Sequence, residues 1–145
     1  MKTLNFIVII LGVLFASTSC NKCEVEDVST GIIVTDGQLR IVGNPYGPEL
    51  IRSSAPYGLD YLISNDGGFT YQEIDFEQYD LMVFPGQSSC LASFYRDVSL
   101  DEENQKVIYR LRVEDCGDCD QRVTLQNWVL IQKVPANYTA EFIRE

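Results

Sequence analysis

From Lys106 to Glu114 the chain keeps a period of two: Val107, Tyr109, Leu111 and Val113 share one parity, and Lys106, Ile108, Arg110, Arg112 and Glu114 share the other. A strand sends successive side chains to opposite faces, so this pattern predicts a strand with one face on a core and its arginines in water. Val123, Leu125, Val129 and Ile131, with Trp128 and Leu130, make a longer run that is apolar on both parities at its centre. Such a run belongs inside a sheet or against a second layer. Leu91 to Val98 alternates imperfectly, and the run from Tyr79 to Phe84 predicts a strand buried on both sides, ended by Pro85-Gly86, with room for one helical turn over 73–78 before it. Tyr138, Ala140 and Phe142 predict a last strand beside the 123–131 strand, so three or four consecutive antiparallel strands are expected in the C-terminal half.

The N-terminal half reads as shorter strands. Ile32, Ile33 and Val34 are followed by Asp36-Gly37, a strong hairpin signal, and then by Leu39, Ile41 and Val42, which predicts a hairpin over 31–43. Residues 43–58 hold three prolines and three glycines, a loop with room for a short strand over 50–52. Another short run from Leu59 to Ile63 closes at Asn65 to Gly68. No segment past residue 30 carries a helical apolar stripe over three turns. The expected fold is therefore all-β, an antiparallel sandwich or small partly open barrel with at most one short helix.

The first twenty residues have a different character. Lys2 is followed by an uncharged apolar run from Leu4 to Ala16, 13 residues long, and then by Ser17-Thr18-Ser19-Cys20. A helix needs about 20 apolar residues to span a hydrocarbon core, so this run predicts a cleaved signal peptide over 1–19 rather than a permanent anchor. The stretch from Leu14 to Cys20 resembles a bacterial lipobox, with small Ser19 before the cysteine and Ser17 where leucine is usual. That resemblance implies acylation of Cys20 and a protein held to a bilayer through its lipid in the bacterial cell envelope, facing periplasm or exterior. The polar run after Cys20 predicts a flexible tether over 20–30, ahead of a single β-rich domain over 31–145.

Removal of 19 of the 145 residues leaves 126, enough for one core. The mature chain keeps 21 carboxylates against 10 of the 11 basic residues, a formal charge of −11, which argues against nucleic acid as a partner. The chain has no histidine, which removes Ser-His-Asp and Cys-His catalysis and the commonest metal ligand.

With Cys20 given to the lipid, Cys23, Cys90, Cys116 and Cys119 remain as disulfide candidates, an even number in an oxidising compartment. Cys116-Gly117-Asp118-Cys119 lies in a turn crowded by Glu114, Asp115, Asp118 and Asp120, whose charges oppose a reactive thiolate, and no second thiolate pair completes a zinc site. An antiparallel pair that starts at Cys90 and ends near residue 115 makes a link from Cys90 to Cys116 or Cys119 geometrically natural. The acidic groups Asp101-Glu102-Glu103 and Asp115, Asp118, Asp120 lack the spacing of a calcium loop. No catalytic, cofactor-binding or metal-binding residue is assigned. Tyr46, Tyr57 and Tyr71 lie in or beside Pro/Gly loops and mark the expected binding surface, since tyrosine offers large contact area at low ordering cost.

Over residues 74–143 the chain resembles small bacterial lipoproteins of uncharacterised function and is weakly similar to the C-terminal domain of a protease-complex subunit family. Asp75, Phe76, Gly86, Trp128, Lys133 and Pro135 carry the shared pattern, and Gln87-Ser88-Ser89-Cys90 replaces that family's Gly-rich turn. The resemblance implies a β-rich, non-catalytic accessory domain. The expected function is thus a membrane-tethered binding module with an envelope protein or glycan as partner; the alternatives are a carboxylate-dependent envelope hydrolase and a protease inhibitor or protease-complex partner.

Overall fold

The computed structural model describes residues 24–35, 39–41, 47–54, 61–64, 70–89, 91–116 and 121–145. These residues form strands and turns with no helix: β1 (Asp27–Gly31), β2 (Ile33–Thr35), β3 (Leu39–Ile41), β4 (Glu49–Ile51), β5 (Tyr61–Ser64), β6 (Tyr71–Glu73), β7 (Tyr79–Ser88), β8 (Leu91–Asp101), β9 (Lys106–Cys116), β10 (Val123–Gln132) and β11 (Thr139–Arg144). A front sheet has the order β1-β8-β9-β11, a back sheet the order β2-β10-β7-β4, and a small sheet the order β3-β5-β6. The all-β sandwich expected from the alternation is what the chain forms.

Two long pairs make the frame. β8 and β9 stay in register from Leu91 opposite Cys116 to Asp101 opposite Lys106. β7 and β10 do the same from Ser88 opposite Val123 to Tyr79 opposite Gln132. The chain passes from the back sheet at Ser88 to the front one at Leu91, so the sandwich has two defined ends. One end holds the start of β8 and the close of β7 and β9; the other holds the turn over 102–105 and the passage over 133–138.

Inward residues of both sheets fill the space between them. Val98, Val107, Tyr109 and Leu111 of the front sheet and Met82, Val129 and Ile131 of the back sheet are all fully buried in one cluster. Each such aliphatic side chain contributes about 1.5–3 kcal/mol on burial. Phe84 stacks edge-on to Tyr109 and Phe142 at 5.6 and 5.4 Å, tying the sheets by aromatic contact. The opposite face of the back sheet is covered as well. Leu81, Val83, Leu130 and Ile51 are buried there under Ile74, with Phe76 and Trp128 packed against them. This explains why β7 and β10 are apolar on both parities.

One polar device crosses the core. Arg96 sits on the inward parity of β8, between Phe94 and Val98, and its Nε and Nη2 donate to Asn127 Oδ1 of β10 at 3.3 and 3.0 Å. Asn127 Nδ2 donates to the Phe84 carbonyl at 3.3 Å, and the Asn127 carbonyl accepts from the Tyr109 hydroxyl at 3.2 Å.

Several expectations are corrected. The Asp36-Gly37 hairpin is not formed: β2 pairs with β10 and β3 with β5, while residues 36–38 themselves lie outside the described residues. A two-residue turn signal fixes a local bend, yet β2 gains more by extending the back sheet over the core. Pro85-Gly86 does not end β7, which runs on to Ser88. β4 covers only Leu81 to Val83, so at Pro85 β7 has no partner on that flank among the described residues, and a missing N–H is tolerated there. Gly86 faces Leu111 and Val113, whose side chains stand 3.3 and 3.4 Å from where a Cβ would lie.

The C-terminal meander is also revised. β8 and β9 are a hairpin, but β10 joins the other sheet, and β11 pairs parallel to β9, from Thr139 opposite Lys106 to Arg144 opposite Leu111. β1 is parallel to β8. Within the span expected to be a flexible tether, Asp27 to Thr30 already belong to β1. The helical turn before β7 is present as a single turn, with Gln78 and Tyr79 donating to the Asp75 carbonyl at 3.1 and 3.0 Å.

Gly31 is where the chain leaves the front sheet for the back one. It has φ +80°, and an added Cβ would collide with the Val98 carbonyl oxygen, which accepts the Ile32 N–H at 2.8 Å. Gly31→Ala is expected to cost about 2–4 kcal/mol through the left-handed backbone and the backbone clash together, read as a lower urea midpoint at unchanged slope.

The turn over 102–105 is pinned by Asp101, which accepts from the Asn104 side chain at 2.8 Å and its backbone at 3.0 Å. These bonds, the side-chain one first, hold the Asp101 carboxyl below its ordinary 3.8. A lowered folded value stabilises above the unfolded value and is lost as pH falls through the folded one. Beside it, the Glu141 hydrogen bond raises the Lys106 ammonium above its ordinary 10.5, a contribution present below that value and lost at higher pH. The Asn104 amide is therefore expected to exchange faster in acid below about pH 4 than the β8–β9 ladder amides do, in a pH series of NMR exchange spectra.

Candidate functional site

The outward face of the front sheet collects the polar parities of β1, β8 and β9 in rows. Val28 stands opposite Tyr95, and Tyr95 opposite Arg112; Thr30 stands opposite Asp97, and Asp97 opposite Arg110. The inward parity of β8 and β9 is packed against the core, so the side chains on these two strands project from a rigid base.

Their contacts are specific. The Arg112 guanidinium lies 4.0 Å from the centroid of the Tyr95 ring, and its Nη1 donates to Glu114 at 2.7 Å. Arg110 Nη1 donates to Ser99 Oγ at 2.8 Å and to Asp97 Oδ2 at 3.4 Å, while Thr30 Oγ1 donates to the other Asp97 oxygen at 2.7 Å. Both bonds of Arg110 use one nitrogen, so much of its donor fork has no protein acceptor among the described residues. Arg110 and Arg112 keep 34% and 45% of their side-chain surface in solvent, enough to meet a partner. The face is hollowed by a concavity of about 340 Å³ bordered by Val28, Thr30, Tyr95, Arg110 and Arg112. An aromatic ring with arginines held flat beside it can stack on and hydrogen-bond a polar partner.

A second concavity, about 360 Å³, opens where Gln72 and Glu73 of β6 face Val34, Thr35, Tyr79 and Leu130 of the back sheet. It has two acidic residues on its border, Glu73 and Asp75. Both Asp75 oxygens are occupied, by the Glu77 N–H at 2.9 Å and the Gln78 side chain at 2.8 Å. Trp128 packs in the apolar cluster on the back sheet.

Asp80, which the sequence did not single out, is the one fully buried carboxylate among the described residues. It accepts from Lys133 Nζ at 2.7 Å and from the Val134 N–H at 3.1 Å. Lys133 Nζ also donates to the Arg52 carbonyl at 3.3 Å, and the Arg52 guanidinium grips the Ala136 and Tyr138 carbonyls at 2.8 and 2.7 Å. Asp80 is thus committed to closing the far end of the core. No local signal marks it, because its partner is 53 positions away.

The residues expected to bind are dispersed or undescribed. Tyr71 lies in β6 opposite Ser64, away from the front sheet. Tyr46 and Tyr57 lie outside the described residues, as do Cys20, Cys23, Cys90, Cys119, Asp118 and Asp120 and the signal peptide expected over 1–19. Cys116 ends β9 opposite Leu91 and is disulfide-bonded, with its partner outside the described residues. Among the described residues no three His, Cys, Asp or Glu side chains converge as a metal site, and no helix is long and apolar enough to cross a membrane.

Lys133→Met strands the buried Asp80 charge and is expected to cost about 3 kcal/mol in urea unfolding, whereas Lys106→Met, which breaks a surface pair, leaves the midpoint nearly in place.

No protein-family model, curated protein or solved structure matches this chain.

Proposed function

We propose that this chain is a lipid-anchored, non-catalytic binding module of the bacterial cell envelope, and that the outward face of its front sheet is the recognition surface. The observation that carries the reading is the row of Tyr95, Arg112 and Arg110 on the outward face of the two longest strands, half-buried or exposed while the inward residues between them pack in the core. Tyrosine and arginine on a rigid base are the side chains that dominate binding energy at protein surfaces. The anchor rests on the run from Leu4 to Ala16 followed by Cys20, too short to span a bilayer and suited to delivery and acylation.

Other features support an accessory role. The chain has no histidine, the buried carboxylate Asp80 is committed to a structural pair, and Asp75 to its own turn. This agrees with the non-catalytic domain that the resemblance over 74–143 implies. The partner is an envelope protein or glycan that offers acceptors to arginine and a flat surface to Tyr95. Cys90 precedes Leu91, which stands opposite Cys116, so a Cys90 to Cys116 link is the pairing that the β8–β9 register favours.

The test uses the full chain expressed with its leader. Intact mass is expected to show cleavage before Cys20 with acyl chains on it, both lost in Cys20→Ser. Copurification from membranes is expected to recover a partner whose yield falls about tenfold in Arg110→Ala/Arg112→Ala, with the unfolding midpoint unchanged. Equal recovery by the double variant removes the front sheet as the binding face.

A further inference from the structure

Seven large apolar side chains are exposed among the described residues, and four of them, Val25, Leu91, Val123 and Leu125, gather at one end of the sandwich. Leu91 opens β8 and stands opposite Cys116, the last residue of β9. Val123 opens β10 opposite Ser88, the last residue of β7. Val25 precedes Glu26, whose N–H donates to Ser93 Oγ at 2.9 Å and whose carbonyl accepts from the Phe94 N–H at 2.9 Å. All four therefore belong to the end from which the chain's N-terminal segment emerges.

The exposure has a cause in the topology. Val123 and Leu125 share the inward parity of Val129 and Ile131, yet they keep 41% and 42% of their surface in solvent. β1 joins β8 only from Phe94, and β11 leaves β9 at Leu111. Beyond those rows the front sheet narrows, among the described residues, to the open end of the β8–β9 pair, where Leu91 faces Cys116. The inner face of β10 then looks past it.

We infer that this end of the sandwich seats on the bilayer, with Val25, Leu91, Val123 and Leu125 entering the interfacial region. The inference rests on the acylated Cys20 proposed above. Glu26 is only six positions past Cys20, a reach of about 20 Å when extended. β8 is 11 residues long, about 35 Å, so a leash that short keeps its own end of the domain downward and holds the turn over 102–105 away from the lipid. Isolated apolar side chains on a surface are ordinary, but a group of four at the point of attachment adds contact with acyl chains where the anchor already holds the domain. Glu24, Glu26, Glu114 and Asp115 surround this end, which suits a zwitterionic surface rather than an anionic one. An upright seat also leaves the outward face of the front sheet open to a partner.

The experiment reconstitutes the acylated full chain in phosphatidylcholine vesicles. In a Trp128→Phe background, Leu125→Trp is expected to lose emission when the lipid is brominated near the headgroup, and Glu103→Trp, in the far turn, is expected to keep it. Hydrogen exchange of the unsubstituted acylated chain gives the same reading without any substitution: amides of 91–93 and 123–125 slow in vesicles relative to detergent micelles, and those of 102–105 do not. Acyl chains present by mass with no quenching and no slowing overturn this inference alone and leave the anchor standing. A mature chain without acyl chains removes both. Slowing of the same amides with rising concentration of Cys20→Ser, in the absence of lipid, assigns this end to a second copy and overturns the bilayer seat.

Discussion

The side chain of Asn127 joins the two layers of the sandwich, and the arrangement of the rest follows from keeping it satisfied. It is 97% removed from solvent, with 3% left exposed, so every polar atom it carries needs a partner. Arg96 supplies two donors from the front sheet, and the Phe84 carbonyl takes one from Asn127 across the β7–β10 ladder. Sliding one sheet over the other by a residue would break the Arg96 bonds and the bond from the Tyr109 hydroxyl to the Asn127 carbonyl at once, at about 1–3 kcal/mol for each buried group left unpaired. Apolar packing alone tolerates such slippage. The polar bridge selects one registration of the sheets, and through it the rows of the outward face.

How far the sequence could be read depends on whether the relevant interaction is local. Val107, Tyr109 and Leu111 are fully buried and Arg110 and Arg112 face water, as the alternation says, because parity is a property of one strand. Leu91 to Val98 alternates imperfectly for a reason that only the fold supplies: Arg96 takes an inward position because Asn127 awaits it. The two-sided apolarity of β7 and β10 signalled strands inside a sheet or against a second layer, without saying that Ile74 and Phe76 would cover the outer face. Pairing was less legible. Asp36-Gly37 suggested a hairpin, but the partner of β2 lies almost a hundred residues away in β10. Proline and glycine at 85–86 signalled a stop, whereas an open flank on β7 lets the strand pass and Gly86 lets the sheets approach. The row of Tyr95, Arg110 and Arg112 could not be picked out from the sequence, because its members come together only across strands.

The strongly acidic composition and the cationic row on one face belong together. Arg110 and Arg112 are each held by a carboxylate, Asp97 and Glu114, so the guanidinium planes are oriented before any partner arrives. Fixed side chains lose less freedom on association, and a partner gains contact without having to order them. The same pairs keep the face close to neutral, which favours directional hydrogen bonding over indiscriminate attraction to polyanions.

Parallel pairing of β1 with β8 has a mechanical side. Both strands begin at the same end of the molecule, so tension on the N-terminal segment acts along the axis of β1. Its backbone hydrogen bonds to β8 then carry the load jointly, as a lap joint does in shear. In the reverse orientation the first bond would take the strain alone and the strand would peel away pair by pair. Under a load applied at its N-terminal end, β1 is therefore built to yield late.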